Sequence, residues 1–204
     1  MNSKTNMMSL CFNGCSFTWG LPQNLPNLRE QRYSRLVSDH YGITEINIAQ
    51  IGASNDGIVR RSINWLENHD VDIFIIQFTF VERCQWFDSK GNDYVIRPSM
   101  KRDEIPYKEY YKYVYTQYLG LENAYKNMHL FDLYCKSRNQ KYIPLVAELD
   151  YEYDLDCNYK KFYKCNPTRI YPTHFPLTSN KHPSVEENKE MAKIVIGKID
   201  ELIV

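Results

Sequence analysis

Short apolar runs alternate along the chain with segments whose apolar positions recur at helical spacing. Met8-Ser9-Leu10-Cys11-Phe12 is apolar and stops at Asn13-Gly14, which predicts a strand closed by a tight turn. Over 29–40, Tyr33, Leu36 and Val37 share a helical face and Tyr41-Gly42 supplies a glycine stop, so a helix is expected there. Residues 45–49 alternate as a second strand does. The segment 58–68 predicts a helix with Ile58, Ser62, Trp65 and Leu66 down one side. Consecutive apolar positions over 71–78 predict the strongest strand, of the kind buried on both faces of a parallel sheet.

Beyond it, 88–106 is polar, with Lys90-Gly91-Asn92-Asp93 as the expected turn. The Tyr-rich stretch 107–138 is helical by composition, with a break expected near Gly120 and a stripe of Tyr111, Val114, Tyr115 and Tyr118. A further strand is expected over 141–147, where Pro144 argues for an edge or an irregular end. Residues 148–180 read as loop with a short strand near Arg169-Ile170-Tyr171. An amphipathic helix through Met191, Ile194, Val195, Ile199 and Leu202 closes the chain. Strand and helix signals in this order predict an α/β fold of three layers, a parallel sheet with helices on both faces. Ligands of such folds sit at the carboxyl ends of the strands.

At 204 residues, without repeats or low-complexity tracts, the chain is expected to form one domain over 1–204, with the Tyr-rich segment near 84–138 as a helical insertion. Lys+Arg and Asp+Glu both total 25, and this zero net charge argues against a nucleic-acid partner held through many phosphates. No apolar run approaches the ~20 residues that cross a bilayer, so no membrane partner is expected. The first ten residues lack the apolar core of a secretory signal, so a cytoplasmic location is expected. Six cysteines in that setting read as free thiols. Neither their spacing nor that of Asp56, Asp72 and Asp103 matches a metal site.

Three stretches offer chemistry. Gly14-Cys15-Ser16 follows the first strand directly, and a sharp strand-to-helix turn exposes a nucleophile beside backbone N–H groups that bind an oxyanion. The same three residues also read as an ordinary turn with a helix cap, and Cys15 is the rival nucleophile. His182 stands in a loop just before the last helix, the position of a base at a cleft edge or of an ordinary exposed histidine. The loop 47–57 joins a strand to a helix through small residues. There Gly52 offers a bare N–H and Asn55 a side-chain donor, or else Ser54, Asn55 or Asp56 simply caps the helix.

The order of these pieces carries more than any one of them. Phe12-Asn13-Gly14-Cys15-Ser16-Phe17-Thr18-Trp19-Gly20 resembles the first block of the SGNH (GDSL-like) hydrolase superfamily, Gly-Asp-Ser with a Thr-x-Gly tail. Its wording is similar to Gly-Cys-Ser-Phe-Thr variants among phage and bacterial proteins. Residues 47–52 resemble the second block, 71–82 the strand leading into the third, and His182-Pro183-Ser184 with Met191-Ala192 the fifth. The resemblance implies a flavodoxin-like SGNH hydrolase fold and acyl-ester chemistry without metal or organic cofactor. Ser16 would attack the carbonyl and His182 would carry the proton. The oxyanion would be held by the N–H groups of Ser16 and Gly52 and by an Asn side chain, for which Asn55 is the candidate.

Two positions depart from the superfamily. The third-block Gly-x-Asn-Asp is replaced by Thr79-Phe80-Val81-Glu82, and the acid three residues before the histidine is replaced by Ser179. Two function classes stand side by side. One is a serine esterase acting, through a Ser-His dyad or degenerate triad, on a small ester or acylated carbohydrate, with acetyl as a candidate acyl group. The other is a catalytically degenerate domain kept for binding, as a viral structural or accessory component or a homo-oligomer, and virion-associated if viral.

Overall fold

The computed structural model describes residues 8–20, 28–98, 108–146, 168–169 and 182–204. Five strands build one sheet: β1 (Leu10–Asn13), β2 (Ile46–Asn47), β3 (Ile73–Phe78), β6 (Lys141–Val146) and β7 (Thr168–Arg169). They lie in the order β2-β1-β3-β6-β7, and every neighbouring pair is parallel. β3 is central, as its apolar run predicts. Alternate residues of that run serve opposite faces. Phe74, Ile76 and Phe78 pack under α3 (Asn55–Leu66) and α4 (Gln117–Ser137), against Ile58, Leu121, Met128 and Phe131. Ile73 and Ile75 pack on the other side under α2 (Tyr33–His40) and α5 (Val185–Ile203), against Tyr33, Val37, Met191 and Val195. Each fully buried Ile or Phe of these layers contributes about 1.5–3 kcal/mol of transfer free energy.

The remaining strands, β4 (Cys84–Phe87) and β5 (Asp93–Ile96), form a separate antiparallel hairpin. The turn expected over 90–93 instead spans 88–92, since Asp93 already belongs to β5, and neither flanking strand was expected. Asp88 closes the turn by accepting from the N–H groups of Lys90 and Asn92 at 2.8 and 2.9 Å. The break in the Tyr-rich helix falls at Tyr115-Thr116, between a π-helical turn (Tyr110–Val114) and α4, where the Thr116 hydroxyl caps α4. Gly120 lies inside α4 instead, pressed against the Val81 carbonyl. Pro144 is compatible with β6 because, among the described residues, β7 pairs with Leu145 and Val146 and not with Pro144. Among the described residues Cys11, Cys15, Cys84 and Cys135 are free thiols, and no helix is long and apolar enough to cross a membrane. The expectations for Asp103 and for the cysteines Cys157 and Cys165, and most of the loop 148–180, fall outside the described residues.

Candidate active site

The turn after β1 is held by buried amides. Asn13, the last residue of β1, accepts the Gly14 N–H at 2.8 Å and donates to the Ile58 carbonyl and the Ser62 hydroxyl. Gln77, near the end of β3, accepts from the Cys15 N–H and the Thr18 hydroxyl through one oxygen and donates to the Phe78 carbonyl. A Cβ on Gly14 would lie 2.4 Å from the Thr18 hydroxyl oxygen and 2.8 Å from that Gln77 oxygen, so only glycine lets the turn approach β3 this closely. The turn then enters α1 (Ser16–Trp19), with Ser16 as its first residue. Cys15 is fully buried in the core, its thiol 3.3 Å from the Gln77 oxygen, and Ser16 beside it is buried at 3% exposure.

His182 reaches this turn from the far end of the chain. Its Nε2 lies 3.0 Å from Ser16 Oγ, across 166 residues of sequence. Phe17 packs edge-on to the imidazole at 5.7 Å between ring centroids, and Phe80 packs edge-on to Phe17. Behind His182, Ser184 caps α5 in a capping box with Glu187. Asn188, one turn into α5, donates to the Pro183 and Ser184 carbonyls and accepts the Tyr33 N–H at 3.0 Å. The Tyr33 hydroxyl meets the Thr18 hydroxyl at 2.8 Å. Hydrogen bonds therefore run from the His182 loop through α5 and α2 back to the Ser16 turn. Ser179 lies outside the described residues.

The loop after β2 forms the neighbouring wall. Asn47 donates to the Thr18 carbonyl at 2.8 Å, and the Gln50 N–H donates to the Gly14 carbonyl at 3.1 Å, which ties this loop to the Ser16 turn. Gly52 is buried with φ +74°, a left-handed conformation that L side chains rarely adopt. Arg97, just after β5, lies over it, with Nη1 1.9 Å from where a Cβ would stand. The Asn55 side chain exchanges two hydrogen bonds with the Thr79 backbone, accepting the N–H at 2.8 Å and donating to the carbonyl at 3.2 Å. Asn55 thereby reaches the end of β3. Arg83 braces the same corner through the Ala53 carbonyl and the Thr79 hydroxyl.

Two charged groups set the electrostatics. Burial alone would raise the Glu45 carboxyl, but the bidentate Arg32 guanidinium, the Ser34 hydroxyl and the Asn47 amide hold it below the ordinary glutamate value. Arg61 donates to Asn13, Gly14 and Gln50, all neutral oxygens, and burial with Arg60 alongside lowers its pKa to about 10. Sequence reasoning took Asn13 only as a turn residue and passed over Gln77, Asn188, Arg61 and Arg97. Gln77, a lone polar residue inside the most apolar strand, was the readable signal. The other three carry no local pattern. A cleft of about 470 Å³ near α3, between Asp56, Cys84, Tyr110 and Gly120, is lined by neither Ser16 nor His182.

Solved structures of lipolytic G-D-S-L proteins and of esterases share this fold, a parallel sheet flanked by helices. The chain is similar to a member of the lipolytic protein G-D-S-L family from Veillonella parvula DSM 2008, with TM-score 0.52 and 13% identity over 93% of this chain and 97% of that one. It is similar to the psychrotrophic esterase EstA from Pseudoalteromonas sp., with TM-score 0.55 and 11% identity over 95% and 97%. It is also similar to a family two carbohydrate esterase from Clostridium thermocellum, solved with cellohexaose, with TM-score 0.55 and 13% identity over 96% of this chain and 64% of that one. At these identities the likeness establishes the fold alone. No protein-family model matches the chain, and no curated protein matches its sequence.

Proposed function

We propose that this protein is a serine ester hydrolase of SGNH type in which Ser16 is the nucleophile and His182 the general base. The observation that carries the reading is the 3.0 Å contact between Ser16 Oγ and His182 Nε2. As His182 Nε2 takes the hydroxyl proton, Ser16 Oγ attacks the ester carbonyl and a tetrahedral oxyanion forms. The bond to the alkoxy group then breaks, and the alcohol leaves with the proton from His182. Water attacks the acyl-enzyme in the same way, gives its proton to His182 and releases the carboxylic acid and Ser16. Oxyanion contacts in this reading come from the Ser16 and Gly52 N–H groups and from the Asn55 amide. Asn55 starts from the preceding crossover but reaches the end of β3, the strand from which the superfamily's third block supplies its Asn.

The substrate in this reading is an acyl ester, with an acetylated carbohydrate as the candidate. The carbohydrate esterase among the similar folds supports that choice. The whole of 1–204 acts as one domain. A second reading, a binding or viral accessory domain that has lost turnover, draws on Ser179 at the acid position and Thr79 where the superfamily has its block-three residues. Hydrolysis of p-nitrophenyl acetate separates the two. Turnover by the wild type should fall at least about 10³-fold in Ser16→Ala and in His182→Ala, and persist in Cys15→Ala. Equal rates in wild type and Ser16→Ala would favour the binding reading.

A further inference from the structure

Beside the nucleophile turn, a cleft of about 290 Å³ opens between the 50–53 loop, α3 and the β4–β5 hairpin, with Gly52 in its wall. Three guanidinium groups line it, those of Arg60, Arg61 and Arg97, against the single carboxylate of Asp93. Asp93 is already committed to Arg60 at 2.8 Å and to the Gln85 amide at 2.9 Å. Arg61 spends its donors on neutral oxygens. Arg97 is partly buried and makes no hydrogen bond or ion pair with another described residue, and its Nε is buried without a partner. A guanidinium N–H taken out of water and left unpaired costs free energy that an acceptor would restore. A planar fork of this kind matches a carboxylate or phosphate with two parallel hydrogen bonds. Zero net charge over the whole chain makes this local excess of cation a property of the cleft rather than of the surface at large.

We infer that this cleft is an anion subsite, and that the preferred ester carries a carboxylate or phosphate group which Arg97 binds beside Gly52. The inference rests on the esterase reading for its ester, but its anion recognition is measured separately. Hydrolysis of acetoxyacetate and of 2-acetoxyethyl phosphate is compared with that of neutral 2-methoxyethyl acetate, in wild type, Arg97→Gln and Arg97→Lys. The ratio of kcat/KM for the anionic over the neutral ester should fall at least tenfold in Arg97→Gln and by less in Arg97→Lys, which keeps the charge and loses the fork. The anionic ester with the larger ratio identifies the group. An unchanged ratio in a folded Arg97 variant would overturn the subsite while leaving the esterase standing. Calorimetric titration with inorganic phosphate and with succinate needs no turnover. Binding by the wild type that weakens at least tenfold in Arg97→Gln supports the subsite even if no ester is cleaved. Absence of binding by the wild type, or equal binding by both, contradicts it.

Discussion

The groups that hold Ser16 are neutral amides and one ion pair, and each answers a particular backbone donor or acceptor. Asn13 and Gln77 satisfy the buried turn where a strand ladder ends. Glu45 works one layer further out, linking Arg32, Ser34 and Asn47 under the carbonyl end of α1. Its carboxyl is held below the ordinary value of 4.5, so the unfolded chain binds this proton more readily than the folded one. The stability it contributes is complete above about pH 4.5 and is lost as pH falls through the lowered folded value. Glu45→Gln should therefore cost about 1.5–3 kcal/mol at pH 7, the worth of a charge-assisted hydrogen bond. The gap from wild type should close as urea melts are repeated down to pH 3. A gap independent of pH would mean that the carboxylate charge is not what Arg32 holds. At this scale the meeting of Ser16 and His182 was legible because each sits at a strand or helix boundary with a motif around it. Gln77 and Arg97 were not, since their importance comes from what lies across the sheet or the cleft.

Elements were legible where one periodicity dominated. The run 71–78 became β3 and the final amphipathic segment became α5, each within a few residues of its expected ends. The hairpin β4–β5 was missed because its strands are short and exposed, and mixed in polarity, with Trp86, Phe87 and Tyr94 about half exposed. The break in the Tyr-rich helix was misplaced because Gly120 looks like a helix breaker and acts as a contact point. A Cβ there would stand 2.8 Å from the Val81 carbonyl oxygen and 3.1 Å from the Tyr115 ring. Gly197, in exposed surroundings on α5, has nothing within 4 Å of its Cβ position. The two glycines should thus respond in opposite senses to alanine. Gly120→Ala is expected to destabilise by about 1–3 kcal/mol through overpacking. Gly197→Ala is expected to stabilise by about 0.5–1 kcal/mol through helix propensity. Thermal melts of both variants check this, and stabilisation by Gly120→Ala would contradict the close approach of α4 to the loop after β3.

For the whole molecule, strand order is what assembles the site. β1 lies between β2 and β3, so the turn after β1 is flanked by the loop carrying Gly52 and by the end of β3 that Asn55 grips. α5 packs on α2 at the same end of the sheet, through Asn188 and Tyr33, and delivers His182 from the other end of the sequence. Matching motifs in the superfamily's order made the meeting of Ser16 and His182 readable in the sequence. What they left unread is the cleft chemistry, because the hairpin that brings Arg97 over Gly52 has no counterpart among those motifs. A Ser16 nucleophile activated by His182 reacts covalently with serine-directed phosphonates. Treated with a fluorophosphonate probe, the wild type should gain one label, mapped by mass spectrometry to the peptide containing Ser16. His182→Ala should label far more slowly, and Ser16→Ala should not label at all. A folded wild type that takes no label, or a label that persists in Ser16→Ala, would contradict the account.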